Sequence, residues 1–375
     1  MRLRVVAAAL CVALAISTVS RDPAALAAPV PGSYYLAVGD SFSYGYLTPD
    51  TPADPQCQSP DAPGFVCIFY RYLLRISPQL QLENLSEPGA DSCELVQKHH
   101  CYNTEPKSSR LDDAVAFLDA HRGQVSPITV TIGGNDVLGL VASVIKDPVG
   151  TIARLPAVFA TYRSNLDVIL SRIRASAPDA EIVVTTQPNP LGGLGSPPLP
   201  AGASEFVQTT IDELNGIMKV EAVKYNAVVA DSAAAFAGYP GGAYMLTYVP
   251  AAAGDLSKIN IHPTPQGYKV YASAVIAASG YTLPLTISAR LRRKILRAGQ
   301  KEKVTGNTLP NAAVLIRVKL PHRSTHTFKS AADDNGNFLR TFRVGKIAGR
   351  GRVRVCATDT TGDTTCKASL TFTVR

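Results

Sequence analysis

The stretch Tyr34 to Tyr46, YYLAVGDSFSYGY, decides how the chain is read. Its apolar and aromatic start, 34–38, predicts a buried strand, and Gly39, Asp40 and Ser41 predict a tight turn that presents a hydroxyl at the strand's end. Open α/β sheets place their chemistry at such strand ends. Gly-Asp-Ser is also ordinary turn composition, in which the serine only bonds nearby backbone. Ser41 therefore counts as a nucleophile only if the rest of the chain supplies its partners.

Working outward, four further strands are predicted at 79–85, 127–132, 181–186 and 227–230. Between them lie helical segments at 65–76, 108–120, a long region ending at Ala177, 204–225 and 265–278. Strands alternating with helices imply a parallel sheet covered on both faces, a three-layer α/β/α sandwich. Right-handed crossovers make the flavodoxin-like doubly wound order the default for five strands.

From Leu285 the texture changes to short alternating runs such as VLIRVKL and GRVRVCA, and Asp334-Asn335-Gly336 predicts a hairpin turn. A second, all-β domain over 285–375, an immunoglobulin-like β-sandwich, is expected there. The charge changes with it. From Thr286 onward 19 Lys and Arg face 5 Asp and Glu, a net of +14, whereas the whole chain of 375 residues carries only +8. A field of that sign suits anionic cell-surface polymers or anionic lipid headgroups, and it also suits a plain spacer.

The first 28 residues have a basic start (Arg2, Arg4), an apolar run 5–19 and Ala25-Leu26-Ala27, the layout of a cleaved secretory signal. No later run has the roughly 20 apolar residues needed to cross a bilayer. The expected organisation is thus a signal at 1–28, a catalytic domain at 29–284 and the β-domain, in a secreted or cell-surface protein. Of seven cysteines, Cys11 falls in the signal. The other six allow 15 connectivities; closeness in sequence favours Cys57–Cys67, Cys93–Cys101 and Cys356–Cys366, as an oxidising compartment permits. No Cys-x-x-Cys pair or clustered histidines suggest a metal site.

Polar residues that a sheet does not require stand at other predicted strand ends and loops: Gly89, Asn135, and His262 in NIHPTPQGY. A serine nucleophile needs a base within hydrogen-bond reach, and histidine has the suitable pKa. It needs donors aimed at the developing oxyanion, and the N–H groups of Ser41 and Gly89 with the amide of Asn135 are of the right kind. His99, His100, Asp136 and Asp231 read instead as surface or loop-holding residues.

These residues resemble the SGNH hydrolases, also called GDSL-type esterases and lipases. Gly39-Asp40-Ser41 is similar to their first block, with Phe42-Ser43 where the name-giving pattern has Leu. Asn84-Leu85-Ser86-Glu87-Pro88-Gly89-Ala90 resembles the second, Gly133-Gly134-Asn135-Asp136 the third, and His262-Pro263 followed by Gly267-Tyr268 the fifth. The resemblance implies an ester hydrolase with Ser41 as nucleophile, His262 as base, Ser41, Gly89 and Asn135 as the oxyanion hole, and no metal or organic cofactor.

The chain departs from the pattern at Ile259, where the family usually has the aspartate that orients the histidine. Two substitutes are expected: a main-chain carbonyl, giving a Ser-His dyad, or Asp255 folding back as third member. The partner implied is an ester of a lipid or of an acylated small molecule or carbohydrate, acted on by a monomer, with nucleic acid not expected. The alternative is an inactive α/β unit in a surface-binding protein whose basic β-domain does the work.

Overall fold

The computed structural model describes residues 29–375 apart from 98, 100, 102–109, 145–146, 193–202, 253–258, 311, 323–324, 334 and 359–363. The signal-like segment 1–28 and Asp255 thus lie outside the described residues.

Five strands form one parallel sheet: β1 (Tyr34–Gly39), β2 (Gln81–Asn84), β3 (Val125–Thr131), β4 (Ile182–Thr185) and β5 (Val228–Ala230), in the order β2-β1-β3-β4-β5. This is the flavodoxin-like order expected from the alternation of elements. The helices are α1 (Ser41–Tyr44), α2 (Phe65–Leu74), α3 (Ser92–Gln97), α4 (Arg110–Ala120), α5 (Gly134–Val144), α6 (Pro148–Ser176), α7 (Ala203–Lys224), α8 (Ser232–Ala237) and α9 (Pro265–Ala278).

The alternation of β1 divides the core into two layers, because successive side chains of a strand point to opposite faces. Leu36 and Val38 enter a cluster with Leu118 of α4, Ile169 of α6 and Leu214 of α7. Tyr35 and Ala37 enter another with Phe69 of α2, Phe236 of α8 and Tyr271 of α9. Each fully buried aliphatic side chain contributes about 1.5–3 kcal/mol, so the two layers fix the level of β1 in the sheet and with it the height of Ser41.

The long helical region ending near Ala177 is two helices. Asp147 caps α6 by accepting from the Gly150 N–H at 2.9 Å, and Pro148 occupies the first helical turn, where its missing N–H costs nothing. The short helices α3 and α8, six residues each, have too few turns to show a helical period in sequence.

From Ser288 the chain is all β. One sheet has the order β10-β9-β12-β13-β7 and a smaller one the order β11-β8-β6, from β6 (Ser288–Leu291), β7 (Ile295–Leu296), β8 (Lys301–Asn307), β9 (Ala313–Lys319), β10 (Thr325–Ala331), β11 (Asn337–Arg343), β12 (Gly349–Thr358) and β13 (Thr364–Val374). Val304, Phe338 and Phe342 of the smaller sheet share a core with Ile316, Val353 and Phe372 of the larger. The Gly336 N–H donates to the Asp333 carbonyl, so the chain reverses here as expected, although Asp334 of the expected turn lies outside the described residues. This reversal does not make the expected hairpin, because β10 pairs with β9 and β11 with β8, so the turn carries the chain from one sheet to the other.

Three disulfides join Cys57–Cys67, Cys93–Cys101 and Cys356–Cys366. The last links directly opposed residues of the neighbouring strands β12 and β13, within a single sheet.

Candidate active site

Ser41 sits where β1 passes into α1. The main chain of Gly39 runs so close to β3 that a Cβ there would lie 2.2 Å from the Thr131 carbonyl oxygen, so the strand can end in this position only with glycine. Asp40 caps the short helix by accepting the Phe42 N–H at 2.9 Å, and its own N–H donates to the Thr131 carbonyl at 3.0 Å. The serine is thereby held at the carboxyl end of the sheet, 7 % exposed.

His262 arrives from the other end of the chain. Thr264 caps α9 by accepting the Gly267 N–H at 3.1 Å, with Pro265 in the first turn. Just before this cap the backbone is clamped: Tyr248 N–H donates to the His262 carbonyl at 3.0 Å, and Thr264 N–H to the Leu246 carbonyl at 2.8 Å. The Tyr268 hydroxyl donates to the Tyr46 carbonyl at 2.6 Å, tying α9 to the chain beyond the serine. His262 Nε2 lies 2.9 Å from Ser41 Oγ, although the two are 221 residues apart.

On its far side His262 Nδ1 lies 2.6 Å from Oδ1 of Asn260, which also accepts the His262 N–H at 3.0 Å. The Asn260 amide donates from Nδ2 to the Leu47 carbonyl at 2.7 Å. That bond fixes which end of the amide faces the imidazole, so Nδ1 carries the proton and Nε2 presents its lone pair to the serine. Sequence reasoning offered Asp255 or a main-chain carbonyl for this place. The atom on Nδ1 is a side-chain amide oxygen, and Asp255 lies outside the described residues. The signal for Asn260 was its habit of bonding the N–H two residues on, which pins the start of such a loop.

Gly89 and Asn135 stand on the two neighbouring strand ends. Main-chain bonds from Leu85 N–H to the Ala37 carbonyl and from Glu87 N–H to the Gly39 carbonyl carry the segment after β2 alongside β1. Asn84 braces it, donating to the Ser43 and Pro55 carbonyls, both at 3.0 Å, and accepting the Ser86 N–H. Gly89 has a φ of +83°, the left-handed region that glycine tolerates without strain. Neither the Ser41 nor the Gly89 N–H has an acceptor among the described residues. Asn135, in the first turn of α5, donates one N–H to the Ala90 carbonyl at 2.8 Å and keeps a second.

The electrostatics follow from burial. His262, packed against the ring of Tyr46 at 4.5 Å, is pushed down to about 4, so the imidazole is neutral through the physiological range. Asp40 is pushed up to about 7, and so is Asp136, in both cases mainly by burial. Asp136 accepts from the N–H and hydroxyl of Ser92 and joins the start of α5 to α3. Asp231 caps α8 and pairs with Lys219 at 2.7 Å. One grouping of possible metal ligands occurs among the described residues, Asp91 with Cys93 and Cys101. Its sulfurs are spent in a disulfide and offer no thiolate.

The arrangement is a hydroxyl bonded to a neutral imidazole of fixed tautomer, with free N–H donors on both neighbouring strand ends. The model of the GDSL-like lipase/acylhydrolase family matches residues 37–270. No curated protein is significantly similar to the chain. Among solved structures, phospholipase A1 from Streptomyces albidoflavus is 22% identical with a TM-score of 0.49, covering 66% of this chain and 99% of its own. An extracellular lipase from Streptomyces rimosus is 19% identical with a TM-score of 0.49, covering 66% and 100%. Axe2, an acetylxylan esterase from Geobacillus stearothermophilus, in its catalytic mutant S15A, is 17% identical with a TM-score of 0.45, covering 68% and 98%. With more than half its length matched by the family model, the chain belongs to the GDSL-like lipase/acylhydrolase family and is a carboxylic-ester hydrolase.

Proposed function

We propose that the protein is a secreted serine esterase that works through Ser41, His262 and an acyl-enzyme, with Asn260 orienting the base. The observation that carries this reading is the 2.9 Å contact of His262 Nε2 with Ser41 Oγ, backed by the 2.6 Å contact of Nδ1 with Asn260 Oδ1. Ser41 Oγ attacks the ester carbonyl while Nε2 takes its proton. The oxyanion forms among the N–H groups of Ser41 and Gly89 and the spare N–H of Asn135, and its collapse expels the alcohol, which takes the proton back from Nε2. Water, activated by the same imidazole, then frees the acid and restores Ser41.

The imidazolium that forms in each step faces a neutral amide oxygen rather than a carboxylate. Asn260 fixes the tautomer, but it offers less charge stabilisation than an aspartate. The division into a signal at 1–28, a catalytic domain at 29–284 and an immunoglobulin-like domain at 285–375 belongs to this reading, and so does retention of the exported protein at an anionic surface. Ser41→Ala is expected to lower kcat/KM for p-nitrophenyl acetate about 10⁴-fold or more with the circular dichroism unchanged. Activity within tenfold of the parent overturns the assignment.

A further inference from the structure

The register of the larger C-terminal sheet gathers its cations on one face. Arg352 of β12 stands directly opposite Lys319 of β9, and Arg354 opposite Arg317. Arg350 lies two residues along β12, and Lys329 of β10 pairs with Leu315, the next outward position of β9. All six charged side chains are exposed, whereas the alternate positions Val314, Ile316, Val318 and Val353 are buried in the core. At about 3.4 Å per residue and about 4.8 Å between strands, the six occupy a strip about 20 Å by about 10 Å, since Leu315 stands at the level of Cys356, six residues along β12 from Arg350.

Like charges set directly across a strand pair destabilise the sheet. Among the described residues nothing on this face offsets them: Glu302 is buried on the other sheet and Asp333 lies in the turn after β10. Among the described residues every ion pair lies between 87 and 231, none in this unit. The strip is bordered by hydroxyls on both sides, Thr325 and Thr327 of β10 opposite Lys319 and Arg317, and Thr371 and Thr373 of β13 opposite Arg352 and Arg350. A single large exposed apolar side chain shares the face, Ile295 on the β7 edge.

We propose that this face docks a linear phosphodiester polymer of the cell surface, lying along β9 and β12. Four of the six cations are arginines, whose planar fork matches a phosphate oxygen pair. A narrow strip flanked by hydroxyl donors fits a chain. A lipid surface calls for several apolar or aromatic side chains around the cations, and the face offers only Ile295 at its edge and the half-buried Leu315. The proposal rests on the surface-retention part of the functional reading and not on its catalytic part.

The test uses the whole mature chain with R317Q/R352Q/R354Q, beside K301Q/K303Q/R343Q, which removes the same charge from the outward positions of β8 and β11 on the other sheet. Binding is measured to poly(glycerol phosphate) on beads, to phosphatidylglycerol vesicles and to single-stranded DNA. The first triple variant is expected to bind the polymer at least tenfold more weakly and the second within about twofold of the parent. The parent's affinity should fall with salt at a log–log slope of roughly −4 if all six cations contact phosphates, at about −0.7 each. R317K/R352K/R354K keeps the charge and should recover only part of the binding. The first variant should melt at or above the parent temperature, because it removes repulsion, and soluble-ester hydrolysis should be unchanged in all.

Equal loss in both triple variants reduces the effect to net charge and overturns the proposal. So does a lower melting temperature with lost binding, which marks a structural role. Tighter parental binding to vesicles or to DNA than to the polymer overturns the choice of partner.

Discussion

Asp40 and Asp136 lie buried beneath the carboxyl edge of the parallel sheet, whereas Arg350, Arg352 and Arg354 stand exposed along β12 of the C-terminal sheet. Both regions carry ionisable groups in places that stability alone does not favour, but they do so in opposite ways. In the α/β unit burial pushes the two carboxyls up to about 7 and His262 down to about 4, and each group is held by specific hydrogen bonds. In the β unit the cations face solvent with no partner of opposite sign among the described residues. The first arrangement fixes a few atoms to within a bond length of one another; the second leaves a field open to something outside the chain. Departures of this kind tend to mark where a protein works rather than how it folds.

The comparison breaks most readily at Asn135. If its spare N–H serves the oxyanion, Asn135→Ala should lower kcat by about 10²–10³, or about 3–4 kcal/mol of barrier, with KM changed much less. The bond to Ala90 is lost in the same variant, so a thermal melt must accompany the kinetics. A fall in kcat with an unchanged melt supports the donor role. A large loss of melting temperature with kcat per folded molecule retained makes Asn135 a brace for the 85–90 segment.

Much of the α/β unit was legible because its signals are periodic. The strand and helix spacings gave five strands and their layers, while the order β2-β1-β3-β4-β5 is not encoded in any spacing and was expected only as the default of doubly wound sheets. Ser41, Asn135 and His262 could be picked out because each is a polar residue at a strand end or loop where packing does not call for one, and Gly89 because it stands in a turn after a strand within a block resembling the family's second. Asn260 was missed for a physical reason: whether its amide oxygen reaches Nδ1 depends on the backbone angles of a non-repeating loop, which no spacing encodes. The Asp333–Gly336 turn shows the same limit, since turn chemistry fixes a reversal and leaves the identity of the paired strand open.

Asn260 gives a sharper test with a smaller effect. His262 works as a base only when neutral, so activity should be flat above about pH 5 and fall as pH drops through about 4. Asn260→Asp places a carboxylate on Nδ1, which favours the charged imidazolium and raises its pKa, so the acid limb should move to higher pH. Asn260→Leu removes the acceptor, and a loss of about 10- to 100-fold in kcat is expected, or about 1.4–2.7 kcal/mol. A purely structural role would lower activity in both variants without moving the limb, and that pattern would remove Asn260 from the mechanism.

The smallest expected effect concerns the boundary between the two regions. Residues 29–284 hold Ser41, His262, Gly89, Asn135 and both layers of the α/β core, while the cores named for the β unit draw only on its own strands. Every bond described at the site closes within the α/β unit. A chain ending at residue 284 should therefore hydrolyse soluble p-nitrophenyl esters with kcat/KM within about twofold of the parent and should lose retention on an anionic polymer. A tenfold fall in kcat/KM at an unchanged melting temperature would mean that the β unit contributes to the catalytic cycle itself. The two ways of handling charge would then belong to one site rather than to two separable functions.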